Sequence, residues 1–202
     1  MKLYVFNISN LTDMSAENLI DATRRKRMER YQNIDDRKRC LAAGLMLRKA
    51  LGRDCEKIKE TSEGKPFLPD GPSFNLSHSG DYVILGVSEH EVGVDIEQVR
   101  TYDERVAQRC FTEDELKWLK EQDNPDAFFK LWTAKEAIVK ADGRGFGISP
   151  HSFSVLPGEG SEHIIDGKSW HLIWQQLNGY VICTACECQE NIEIIFEDDL
   201  YG

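Results

Sequence analysis

Apolar positions fall into alternating runs and helical stripes that predict short strands interleaved with longer helices. Lys2–Phe6 reads as an opening strand, followed by a helix from about Ser15 to Tyr31. A second helix runs from about Asp35 to Leu51, with Leu41, Leu45 and Met46 at helical spacing and Gly52 as its stop. Gly64-Lys65-Pro66 through Pro72 is turn-rich and extended. Phe74–Ser77 and Tyr82–Ser88 then read as strands, the second almost continuously apolar. Val92–Glu97 follows after a short turn, so the pattern predicts a hairpin with Tyr82–Ser88. Thr112 and Glu115 form a capping box just ahead of Leu116, Trp118 and Leu119. A further helix spans about Ala127 to Ala141 and stops at Asp142-Gly143. The tail reads as strands at Ser152–Leu156, Trp170–Gln176 and Tyr180–Glu187.

One stretch echoes another. Tyr82-Val83-Ile84-Leu85-Gly86-Val87-Ser88-Glu89 recurs as Tyr180-Val181-Ile182-Cys183-Thr184-Ala185-Cys186-Glu187, with four of eight positions identical, and each copy follows a helix ended by glycine. The spacing is too long for a solenoid repeat. It suits an α+β fold of two similar, pseudo-symmetric lobes, each a small antiparallel sheet packed with helices. The expected division is 1–89 and 90–202, with an active site in the cleft between the lobes. A chain of 202 residues buries enough surface to fold without staples.

Charge sharpens the picture. Thirty-five acids against 25 bases give a net charge of −10, which disfavours a diffuse nucleic-acid binder. Yet the window from Ile20 to Arg53 holds eleven bases and only four acids, a local +7 on an otherwise acidic chain. That imbalance fits either a solvated helix face or a compact anion site. The Cys183-x-x-Cys186-x-Cys188 cluster lies in a strand-like run and reads as packing thiols, not a zinc site. No run approaches the length of a membrane span, and the N-terminus lacks a signal-peptide pattern, so the expectation is a cytoplasmic protein without membrane partners.

Three patterns carry chemistry. In Val92-Gly93-Val94-Asp95-Ile96-Glu97, alternation sends the valines and Ile96 one way and Asp95 and Glu97 the other. Two carboxylates on one strand face repel, and a hard cation such as magnesium relieves that repulsion. On the helix from Ala127, Trp132, Glu136 and Lys140 are four apart and share a face, opposite Phe128, Leu131, Ala134 and Ile138. If that face meets the strand, Glu136 becomes a third metal-facing acid and Lys140 lies one turn away to meet phosphate. Phe74-Asn75-Leu76-Ser77-His78-Ser79-Gly80 concentrates hydroxyls, an imidazole and turn amides where a phosphate could sit.

Taken in order, Gly64-Lys65-Pro66, Phe74 to Gly80, Gly93 to Glu97 and Trp132-Thr133-Ala134-Lys135-Glu136-Ala137-x-x-Lys140 resemble the 4′-phosphopantetheinyl transferases, specifically the fused two-lobe, surfactin-synthetase-activating type. The resemblance implies transfer of the phosphopantetheine arm of coenzyme A to a serine of an apo carrier protein, with release of adenosine 3′,5′-bisphosphate. It implies magnesium on Asp95, Glu97 and Glu136, and coenzyme A contacts from Lys65, Ser77, His78 and Lys140. Arg24, Arg27 and Arg39 fall where such proteins hold the adenosine 3′-phosphate. Glu136, Lys140 and His78 are the implied catalytic groups, Glu136 as the base. A pseudo-dimer of this kind is expected to act as a monomer. Two alternatives are a non-catalytic coenzyme A or nucleotide-binding module, and a magnesium-dependent nucleotide phosphohydrolase. The first can lose a carboxylate, whereas all three are present, and no P-loop supports the second.

Overall fold

The computed structural model describes residues 1–157 and 162–201. Ten strands and five α-helices follow one another as β1 (Lys2–Asn7), α1 (Ala22–Glu29), α2 (Ile34–Leu51), β2 (Lys59–Glu60), β3 (Pro66–Phe67), β4 (Ser73–Ser79), β5 (Tyr82–Ser88), β6 (Val92–Gln98), α3 (Glu104–Cys110), α4 (Glu113–Lys120), α5 (Asp126–Asp142), β7 (Glu162–Ile165), β8 (Lys168–Leu177), β9 (Tyr180–Cys186) and β10 (Glu193–Glu197). Two four-stranded sheets result, ordered β10-β1-β5-β4 and β6-β9-β8-β7, and the short β2–β3 pair stands apart. Each half therefore runs strand, helices, then a hairpin whose second strand returns beside the first. The fold is α+β with two lobes. The two echoed segments are β5 and β9, the strands inside their respective sheets.

Each lobe packs its long helix on its own sheet. Leu41, Leu45 and Met46 of α2 are buried with Phe6, Phe74, Val83 and Leu85. Leu131, Ala134 and Ile138 of α5 are buried with Trp170, Val181 and Cys183. A third cluster joins the halves: Leu3, Val5, Tyr82 and Ile84 meet Val92, Val94, Ile96, Tyr180 and Ile182. At its edge the two echoed tyrosines touch edge to face, ring centres 4.9 Å apart. Their hydroxyls cross over. Tyr180 Oη accepts from the Asp81 backbone at 3.0 Å, and Tyr82 Oη accepts from Asn178 at 3.0 Å.

Several expected elements differ. The first helix is broken: a 3-10 turn covers Met14–Leu19, and Asp21 caps a separate α1 through the Arg24 amide. An aspartate that accepts from a third-residue amide is a strong N-cap, so the chain restarts there. β6 makes no hairpin with β5. It pairs antiparallel with β9, 80-odd residues later in the chain, because its apolar face is shared between lobes. Ser152–Leu156 is irregular apart from the end of a 3-10 turn at Pro150–Ser152. The chain's last strand, β10, pairs parallel to β1 in the first sheet, so the tail returns to the N-terminal half. None of the described helices is long and apolar enough to cross a membrane.

Candidate functional site

Gly93 sets the site. A methyl group there would strike the Ala137 carbonyl oxygen and stand 2.6 Å from the Ala141 nitrogen, so only glycine lets β6 lie directly against the backbone of α5. On the same strand face, two and four residues on, come Asp95 and Glu97. The helix brings Trp132, Glu136 and Lys140, and β4 brings Leu76, Ser77 and His78. All eight side chains line one open hollow of about 300 Å³.

The hollow is electrostatically tight. Asp95 is buried; its Oδ1 accepts from Lys140 Nζ at 2.6 Å and from Ser77 Oγ at 2.8 Å. Lys140 also donates to Ser77 Oγ at 3.0 Å. Glu97 Oε2 accepts from Ser79 Oγ at 2.9 Å. Burial and then the charge of Asp95 push the carboxyls of both Glu97 and Glu136 above their ordinary range. His78 borders solvent on one side, while the protein crowding its other sides, with Arg39 and Lys140, pushes its imidazole below its ordinary value.

These residues suit a hard cation by one specific sign. Asp95 Oδ2 is buried and meets no hydrogen-bond donor, beside two acids that repel it. Orphaned carboxylate oxygen among like charges is what a divalent ion neutralises. The acids are nonetheless not drawn into a finished cage, as the sequence led one to expect. Among the described residues, no group of three or more His, Cys, Asp or Glu is close enough to hold a metal. Lys140 supplies the neutralising charge at Asp95 in this arrangement.

The remaining candidates lie outside the hollow's lining. Arg39 is nearest: its guanidinium donates to Gly80 O at 2.5 Å and Asp36 at 2.6 Å, and its field reaches His78. Arg24 and Arg27 of α1 both act on the buried Cys40 of α2, and the buried Arg24 Nε has no hydrogen-bond acceptor, its ion-pair partner Asp21 Oδ2 lying 3.8 Å away. Lys65 donates to Glu91 at 2.5 Å and to the Ala141 carbonyl, the C-terminal end of α5, at 2.6 Å. All six cysteines are free thiols.

Sequence reasoning missed one supporting pair. Lys135, beside Glu136, is 1% exposed and ion-pairs at 2.8 Å with Glu115, itself fully buried. Lys135 also donates to the carbonyls of Pro150 and Phe153, each at 2.6 Å. Glu115 accepts from the amides of Thr112 and Val155, each at 2.8 Å. A lysine on the apolar side of the predicted stripe was the available signal, since buried lysine demands a partner.

A model described as the 4′-phosphopantetheinyl transferase superfamily matches residues 91–185, and one described as 4′-phosphopantetheinyl transferase, N-terminal, matches residues 7–90. The 4′-phosphopantetheinyl transferase psf-1 of Bacillus pumilus is 32% identical over 177 residues, covering 79% of this chain and 76% of that protein. The chain belongs to the 4′-phosphopantetheinyl transferase superfamily. Among relatives in this superfamily, the gsp protein of Aneurinibacillus migulanus is 37% identical over 135 residues, 62% of this chain and 57% of its own. The Sfp protein of Bacillus subtilis is 33% identical over 147 residues, 67% of this chain and 66% of its own. The chain thus spans less than two thirds of the length of the gsp protein, and about three quarters of that of psf-1.

Proposed function

We propose that the chain transfers the 4′-phosphopantetheine arm of coenzyme A to a serine of an apo carrier protein, as a monomer in the cytoplasm. The supporting observation is the meeting of Ser77 and His78, Asp95 and Glu97, and Trp132, Glu136 and Lys140 in one hollow between the lobes. The acceptor serine oxygen forms a bond to the coenzyme A phosphorus that bears the pantetheine arm. The bridging P–O bond breaks, and adenosine 3′,5′-bisphosphate leaves with the electron pair. Glu136 takes the serine proton.

Magnesium held by Asp95, Glu97 and Glu136 would neutralise charge gathering on the diphosphate. Lys140 and His78 hold phosphate oxygens, and Ser77 orients Lys140. Arg24, Arg27 and Arg39 take the adenosine 3′-phosphate, consistent with the +7 window, and Lys65 leaves Glu91 to contact the nucleotide. Such chemistry rests on positioning and charge stabilisation. We assign 1–89 to the coenzyme A lobe, together with the returning strand β10, and the rest of 90–202 to the metal and acceptor lobe. Free thiols accord with a reducing compartment.

The carrier docks beside the hollow, against α3 and α4. A groove of about 240 Å³ there is lined by Tyr102, Gln108, Leu116, Leu119 and Lys120, among others. Lys117 and Lys120 are exposed, whereas Phe111 is fully buried in the local core and offers the carrier nothing. The test incubates the chain with coenzyme A, magnesium and apo carrier domains and weighs the carriers. Addition of the phosphopantetheine arm is the expected result; no mass gain on any carrier overturns the reading. Glu136→Gln and Asp95→Ala are each expected to abolish the gain while leaving the circular dichroism unchanged.

A further inference from the structure

β6 is the edge strand of its sheet, and β4 is the edge strand of the other. One side of β6 pairs with β9, leaving the amides of Val92, Val94 and Gln98 turned outward. β4 does not complete this edge with its main chain. It uses side chains instead. The Val92 amide donates to Ser73 Oγ at 3.3 Å, the Val94 amide to Asn75 Oδ1 at 3.0 Å, and the Gln98 amide to Ser79 Oγ at 3.1 Å. In every case the residues are 19 apart, so β4 and β6 run in one fixed parallel register. At the one intervening step, Ser77 is turned to Asp95. Ser79 also donates to Glu97.

We propose that Asn75, Ser73 and Ser79 are positioning residues that set this register between the lobes. They thereby fix Asp95 and Glu97 opposite Ser77 and His78. The pattern is built by alternation: residues 73, 75, 77 and 79 share one strand face and are all short and polar, at the cost of burying Asn75. The buried Val94 amide must be paired, and Asn75 is its acceptor; Ser73 and Ser79 hold the part-buried and exposed ends of the same seam. A slip of one residue would send the acidic side chains to the other face. Asn75 holds the buried centre, and Ser79 couples the seam to Glu97.

The proposal rests on the transfer reading for its kinetic arm only. Ser79→Ala, Ser79→Thr and Asn75→Ala are compared with the parent for carrier and coenzyme A kinetics and for amide exchange at Val94 and Gln98. Ser79→Ala and Asn75→Ala are expected to lower kcat about tenfold or more, because small misplacements of reacting groups cost that much, with KM for the carrier unchanged. Ser79→Thr keeps the hydroxyl and is expected to stay within about threefold of the parent. Exchange is expected to quicken about tenfold or more at Gln98 in Ser79→Ala and at Val94 in Asn75→Ala. Unchanged exchange in both alanine variants overturns the seam, whatever the chain catalyses. Unchanged kcat in both, or Ser79→Thr as slow as Ser79→Ala, overturns its positioning role. If Asn75→Ala does not fold, the two Ser79 variants decide alone. A parent that transfers nothing overturns the transfer reading instead, and exchange still judges the seam.

Discussion

At single residues the site is governed by space and by charge. Gly93 is a question of space, since any side chain there meets the main chain of α5, which cannot yield without the helix moving. Gly93→Ala is expected to cost about 1–3 kcal/mol, the usual range for overpacking. It is also expected to lower activity by more than that stability loss explains, because α5 carries Glu136 and Lys140. Urea unfolding set beside initial rates checks both. His78 is a question of charge. Its folded pKa lies below the ordinary value near 6.5, so an unfolded chain binds a proton that the folded chain refuses. Stability from this group is therefore full above about pH 6.5 and declines as the pH falls through the window just below. His78→Gln is expected to flatten that acid-side decline, measured by denaturant midpoints between about pH 5 and 7.5.

Among elements, α5 is tied to α4 by one buried ion pair, Lys135–Glu115, in addition to its buried apolar face. Burial pulls the Lys135 ammonium below its ordinary value, and Glu115 opposes the shift. Removing one partner strands the other. Lys135→Met is expected to cost about 3–5 kcal/mol, as for other broken buried pairs. Replacing both partners with apolar residues does not restore the loss here, because the carbonyls of Pro150 and Phe153 and the amides of Thr112 and Val155 lose their partners too. Thermal unfolding of the single and double variants separates the two cases. Elements are also where the sequence was most and least legible. The face bearing Trp132, Glu136 and Lys140 was readable because helical spacing fixes it locally, and the Thr112 capping box formed with both arms. The partner of β6 was not readable. Proximity in the chain favoured β5, whereas the apolar strand that fits its edge lies in β9, and nothing local encodes a pairing at that distance. The Lys135–Glu115 pair was half visible: Glu115 announced itself as a cap residue, and its second role appears only when α4 meets α5. The acid cluster was found as residues but not as a cage, since the place of Lys140 beside Asp95 depends on tertiary packing.

For the whole molecule, the distribution of charge decides how a partner arrives. At −10 overall the chain would repel the proposed carrier at long range if that carrier is acidic, while Lys117 and Lys120 stand exposed on α4 beside the proposed docking groove. Two opposing fields therefore act, and they differ in reach. Beyond about 8–10 Å, physiological salt screens the repulsion of the bulk surface, whereas lysines in contact with a carboxylate are screened less. If the carrier docks on α4, contact attraction outweighs distant repulsion at moderate salt, and binding weakens only as salt rises further. Reversing both lysines to glutamate removes the attraction and leaves repulsion alone. The double variant is expected to raise KM for the carrier about tenfold or more. Its coenzyme A binding, which the proposal assigns to the basic window on the first lobe, is expected to stay as it was. The salt response supplies the sharper check: above moderate salt, added salt should improve carrier binding in the double variant, opposite in sign to the parent. Steady-state kinetics across a salt series, with calorimetry for coenzyme A, reads both. Equal KM in parent and variant would move the docking surface away from α4.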